Sequence, residues 1–205
     1  MRNRQLQLFI IIAALVAILD QWTKWLAIEH LTHAFSAQTS GLGPAENFSE
    51  RLDRFLWLTH PLRSGSVEIL KDFWHFRYVE NPGAAFGFLA SSSSSLRTPF
   101  FLIVTILAMG FVLMMYKQSE PEQHLFRISL ALVFGGAIGN FLDRVRLGYV
   151  IDFIDWHWYN EFTWPTFNVA DAGISIGACL LLVVMLREGV EGSDKASEPP
   201  AHKEE

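Results

Sequence analysis

Asp20, Lys24, Asp143, Arg144 and Asp171 stand in or at the ends of apolar stretches of the chain, where an ionisable side chain that meets hydrocarbon costs at least roughly 2.5–3.5 kcal/mol. Each needs a partner or a task. On a helix, Asp20 and Lys24 share one face, as do Gly136, Asn140, Asp143 and Arg144, and as do Asn168, Asp171 and Ser175. The plain reading of Asp20 with Lys24 is a structural ion pair, and Arg144 reads as a group that orients carboxylates. Asp152 and Asp155 follow in GYVIDFIDWHWYNEFTWPTF, where YVIDFI reads as an extended segment held at a membrane surface. An aspartate in such a loop is ordinarily just solvated. Asp152 stands out because the next apolar run begins close enough to set Asp171 beside it. Two neighbouring carboxylates cannot both ionise, so one holds a proton while the other accepts one. Such a pair splits water as aspartic proteases do: the ionised member takes a proton from water and the protonated member hydrogen-bonds the scissile carbonyl. Other chemistries find less material. His30 and His33 lie beside Glu29 in EHLTH, which is not HExxH and falls off the polar cluster, so no metal and no cofactor are expected. A serine nucleophile lacks a base, since no histidine falls in the cluster and Lys24 reads as paired.

The elements that must position these residues are membrane helices. The 205 residues are 51% hydrophobic and only 18% charged, against about 25% charged in an ordinary soluble domain, and the mean hydropathy is +0.24. Four apolar blocks at 8–28, 99–116, 125–142 and 167–186 approach the roughly 20 residues that cross a bilayer as a helix. A cleaved signal peptide is the rival reading of the first block, but it ends in Asp20, Gln21 and Trp22 without a small-residue cleavage pattern. The single cysteine, Cys179, lies inside the last block, which removes disulfide frameworks and cysteine-based zinc sites. Arg2, Arg4, Lys117, Arg127, Arg187, Lys195 and Lys203 fall to one side of the spans, so the positive-inside rule puts both termini in the cytoplasm. All seven tryptophans lie at or beyond the opposite ends, as rings that favour the lipid–water interface do. The net charge is −5, and no basic patch suggests nucleic acid. The expected architecture is an α-helical integral membrane protein: four transmembrane helices, both termini cytoplasmic, and a small β-rich element on the outer surface. Residues 1–187 form one membrane-embedded domain. In its outer loop, 29–98, DFWHFRYVENPG reads as strand ending in a turn. Ser91 to Ser95 read as a flexible lead into the second span, and 188–205 as a polar, disordered cytoplasmic tail.

Taken together, DQWTK at 20–24, ENPGAAF at 80–86, GGAIGNFLDR at 135–144, VIDFID at 150–155 and FNVAD at 167–171 resemble the lipoprotein signal peptidases, the type II signal peptidases. The resemblance implies an aspartic endopeptidase of the bacterial inner membrane whose site faces the periplasmic side. Its substrates would be prolipoproteins already carrying diacylglycerol on a cysteine, cut just before that cysteine, by an enzyme that meets membrane lipid and works as a monomer. Carried over by motif, the catalytic pair is Asp152 with Asp171. Asn81, Gly83, Asn140, Asp143, Arg144 and Asn168 would bind substrate or support the pair, with Asp20 and Lys24 as the structural polar pair. The chain departs from the pattern at 39–67, which looks like extra sequence. Its charges and the run FLWLT suggest a partly amphipathic element on the outer leaflet. No catalytic or supporting residue lies within it, so its removal is expected to leave the chemistry intact. The main alternative is a proton-coupled transporter with Asp20, Asp143 and Asp171 as a relay, although a relay should run across the membrane and these residues crowd one side. A non-enzymatic assembly protein would need no carboxylate pair at all.

Overall fold

The structure is a computed structural model that describes residues 2–36, 42–83, 94–159 and 161–197. Four helices are long and apolar enough to cross a membrane: α1 (Arg2–Leu31), α3 (Ser94–Gln118), α4 (His124–Leu147) and α5 (Val169–Ser197). Each is bounded differently from its apolar block. α4 runs on to Leu147, which makes Asp143 and Arg144 helical, and Gly148 ends it in a left-handed conformation with its N–H returned to Arg144 O at 3.1 Å. Only glycine adopts that φ of +80° at no steric cost. α5 starts at Val169 because Asn168 caps it, and it continues through Ser197, into the stretch expected as a tail. α3 already includes Ser94 and Ser95, so the last two serines of the run are helix. Ser91 to Ser93 and the tail beyond Ser197 lie outside the described residues, as do residues 39–41 and the Ala84, Ala85 and Phe86 of ENPGAAF.

α4 is the hub of the bundle and packs against α1, α5 and α3. Its glycines make this possible, because a Cβ on Gly135 would press into the α1 backbone at Ala13, one on Gly136 would overlap Ala170 O of α5, and one on Gly139 would overlap the Asp20 carboxylate. Gln5 meets His124 at 2.9 Å and Phe9 packs on Tyr116, so α1 and α4 start, and α3 ends, at one end of the bundle. At the opposite end the chain forms β1 (Val67–Leu70), β2 (Trp74–Asn81), β3 (Val150–Trp158) and β4 (Phe162–Thr163), an antiparallel sheet in sequence order. The strand expected from DFWHFRYVENPG is β2, and YVIDFI is the start of β3. β3 is buried from Val150 to Phe153, where it lies over the helix ends. A short helix, α2 (Phe48–Trp57), is the amphipathic element of the 39–67 segment.

Candidate active site

Asp171 is held by the way its own helix begins. The first N–H groups of a helix lack intrahelical partners. Here the Asp171 N–H donates to Asn168 Oδ1 at 2.9 Å, while the Asn168 N–H donates back to Asp171 Oδ2 at 3.3 Å. This is a reciprocal capping box, so FNVAD both starts α5 and fixes the carboxylate. The neighbouring Ala170 N–H is capped from another span, by Asp20 Oδ1 at 3.0 Å.

Asp152 arrives from β3, opposite Val79 of β2. Its Oδ1 accepts from Asn168 Nδ2 at 2.7 Å and its Oδ2 from Asn81 Nδ2 at 2.9 Å. The turn after β2 sets Asn81: the Gly83 N–H donates to Asn81 Oδ1 at 2.9 Å, at a φ of +94°, and a Cβ there would overlap the Phe101 ring. Asn168 Nδ2 also faces Asn140 Oδ1 at 3.1 Å and Ile151 O at 3.2 Å. Asn140 Nδ2 donates to Asp171 Oδ1 at 2.7 Å, and Asn140 Oδ1 also accepts from Lys24 Nζ at 3.2 Å. Only this orientation of the Asn140 amide satisfies all its neighbours. A continuous path of amides therefore joins Asp152 to Asp171. Burial first, and the charge of Asp171 second, push the Asp152 carboxyl up to about 7 against the two amides that favour its ionised form.

Beneath this pair lies a fully buried ionic cluster. Lys24 Nζ sits 2.8 Å from both Asp20 Oδ2 and Asp143 Oδ2, with all three side chains 0% exposed. Asp143 Oδ2 also accepts the Ile151 N–H at 3.1 Å, while its Oδ1 takes Arg146 at 2.6 Å and Gln21 at 3.1 Å. With four donors on two oxygens, Asp143 has no acceptor site left for water. It anchors the strand residue next to Asp152. Arg144 lies over the Phe101 ring, 5.4 Å from its centroid.

Asp20, Lys24, Asn81, Asn140, Asp143, Arg144, Asp152, Asn168 and Asp171 thus meet at one end of the bundle, whereas Ser175 is exposed on α5 and Asp155 stands apart. That carboxylate pairs with Arg77 at 2.7 Å on the far part of β3. Gln21, Arg146 and Phe101 were missed. Gln21 stood inside DQWTK, and Arg146 stands one turn from Asp143 on the same helix, a legible signal. Phe101 had none. Among the described residues, no three of His, Cys, Asp and Glu come together as a metal ligand set.

A family model described as signal peptidase (SPase) II matches residues 12–187. A lipoprotein signal peptidase of Anaeromyxobacter sp. (strain Fw109-5) is 44% identical over 180 residues, 86% of this chain and 82% of that protein. Another, of Syntrophotalea carbinolica, is 38% identical over 93% of this chain and 98% of its own. Two solved bacterial membrane enzymes share the fold: one with a TM-score of 0.64 at 26% identity, covering 97% of this chain and 95% of that one. The other has a TM-score of 0.61 at 29% identity, covering 88% and 93%.

Proposed function

The chain belongs to the signal peptidase II family, and from that premise we propose that Asp152 and Asp171 are the pair with which it removes signal peptides from lipoprotein precursors. The activity class, an aspartic endopeptidase in a bacterial membrane, comes with the family. The assignment of the pair rests on one observation above the others: of the aspartates in the cluster, Asp20 and Asp143 are saturated by cations and N–H donors, whereas Asp152 and Asp171 are bridged only by neutral amides. The proton of the pair rests on Asp152. Asp171 takes a proton from the attacking water as Asp152 donates a hydrogen bond to the scissile carbonyl, and the roles reverse when the leaving amine is protonated.

The precursor carries a diacylglyceryl group on its cysteine and is cut just before that residue. A signal peptide still embedded as a helix arrives through the bilayer, so a site at one end of the spans, at the depth of the interface, suits it. This end faces the periplasm and the enzyme sits in the inner membrane, acting as a monomer. The clustering of Asp20, Asp143 and Asp171 at one bundle end favours this reading over a proton relay, which needs groups spread across the membrane. The decisive assay follows cleavage of a lipidated precursor by purified enzyme in detergent. Asp152→Asn and Asp171→Asn each keep side-chain size, and each should abolish cleavage while melting as a folded protein. Full activity in either variant refutes the assignment.

A further inference from the structure

We infer that the part of the 39–67 segment from Asn47 to His60 braces the catalytic pair from two sides, with Arg146 and His60 as the positioning residues. This rests on the reading of Asp152 and Asp171 as the pair.

The first brace runs through α2. Asn47 caps that helix, accepting the Glu50 N–H at 2.9 Å and donating to Glu50 Oε1 at 2.8 Å. Phe55, in its last turn, is 7% exposed and packs on Trp25 of α1. The last carbonyls of a helix have no intrahelical donor and carry the negative end of its dipole. Arg146 supplies both needs: its Nη1 donates to Phe55 O at 3.3 Å and its guanidinium lies 4.4 Å from the centroid of the Phe55 ring. The other arm, Nη2, grips Asp143 Oδ1 at 2.6 Å. From Asp143 the contacts divide. One leads to the Ile151 N–H, next to Asp152. The other leads through Lys24 to Asn140 and so to Asp171.

The second brace is His60, just beyond α2, held at a φ of +52°. Its backbone N–H donates to the Tyr149 hydroxyl at 3.1 Å, its ring stacks on Tyr149 at 5.2 Å, and its Nδ1 meets Glu80 Oε2 at 2.6 Å. Glu80 precedes Asn81, whose amide holds Asp152, and pairs in register with Ile151. Both braces therefore end one residue from a group that holds or carries the Asp152 carboxylate. Displacements of about 1 Å at such positions cost up to about a hundredfold in rate. The geometry thus points against a dispensable surface insertion.

Three single variants of the full chain test this with a diacylglyceryl precursor in detergent micelles, each compared with wild type and with Asp152→Asn. Arg146→Met removes both arms and should lower kcat about tenfold with KM nearly unchanged, because positioning is felt in the transition state and not in binding. Arg146→Lys keeps a charge for Asp143 but cannot also hold Phe55 O, so its kcat should lie between the two. His60→Ala alters an exposed side chain and should melt like wild type, yet lose about threefold in kcat. Wild-type kcat in His60→Ala and in either Arg146 variant overturns the brace, and so does a raised KM at unchanged kcat, which would make the segment a lid. If Arg146→Met fails to fold, Arg146→Lys and His60→Ala decide alone. Activity surviving in Asp152→Asn refutes the pair itself, whereas an inactive Asp152→Asn beside fully active brace variants refutes only the brace.

Discussion

Asp152 is 1% exposed, and its carboxyl, pushed up to about 7 from an ordinary 3.8, makes both stability and activity depend on pH in a fixed direction. Between about pH 4 and pH 7 the folded protein keeps a proton that the unfolded chain releases. The stability this group contributes is therefore full below about 4 and lost as pH rises to about 7. Asn at this position does not titrate. Asp152→Asn should melt with wild type at pH 4 and above it at pH 8, by at least roughly 2–4 °C, the equivalent of about 1 kcal/mol in a chain of this size. An equal offset at both pH values would show that Asp152 is not the buried acid. Cleavage by the wild-type enzyme should also decline above about pH 7, as the proposed pair loses its proton. At this scale the sequence was informative, since Asp152, Asp171, Asn81, Asn140 and Asn168 could all be named from their motifs. What it could not separate by chemistry alone was Asp143 from Asp152. That distinction lies in the four donors around Asp143, three of which come from other elements and the fourth from across a turn of its own helix.

At the scale of elements, the site is made by where helices and strands begin and end. α5 starts at the capping box that holds Asp171, α4 ends at the glycine that turns the chain into β3, and β2 ends at the turn that sets Asn81. Asn168 serves two elements at once, as cap of α5 and as amide donor to Asp152. Substitution separates the two duties. Asn168→Asp keeps an excellent cap acceptor but removes the amide hydrogens and sets a third carboxylate beside the pair. It should retain the melting temperature within a few degrees and lose kcat by roughly a hundredfold or more. Asn168→Ala gives up the cap as well and should lose about 1 kcal/mol of stability besides. Wild-type turnover in the folded Asp variant would show that the amide positions nothing. The periodicity of the sequence announced the elements but not their ends: the apolar block of α4 stops at Leu142, while the helix runs to Leu147 because Asp143, Arg144 and Arg146 find partners at the sheet end. Hydropathy records solvent preference, and a charged residue with a buried partner no longer follows it.

At the scale of the whole molecule, charge is distributed between the two ends of the bundle by different rules. At the sheet end three arginines are engaged by carboxylates: Arg51 with Glu29 at 2.7 Å, Arg77 with Asp155 at 2.7 Å and Arg146 with Asp143 at 2.6 Å. At the other end, Arg127 is satisfied by Ser119 and lies over the Tyr116 ring, with no acid among those partners. Arg4 and Lys117 stand near it in the chain order of the spans. The positive-inside rule counts Lys and Arg near the span ends and gives acids little weight, and on that count it assigns the end without the sheet to the cytoplasm. The four spans were legible in sequence, because they depend on composition alone. The role of 39–67 was not, because its links join residues as far apart in the chain as Phe55 and Arg146. The orientation itself is open to direct measurement. α4, with 24 residues, is about 36 Å long at about 1.5 Å per residue, enough to put its two ends on opposite sides of the hydrocarbon. In a Cys179→Ala background, Glu122→Cys reports the turn between α3 and α4, and Glu161→Cys reports the turn between β3 and β4, both at exposed positions. A membrane-impermeant maleimide added to spheroplasts should label the cysteine at 161 and spare the one at 122 until the membrane is opened. The reverse pattern would turn the carboxylate pair towards the cytoplasm and remove its access to precursors on the outer face.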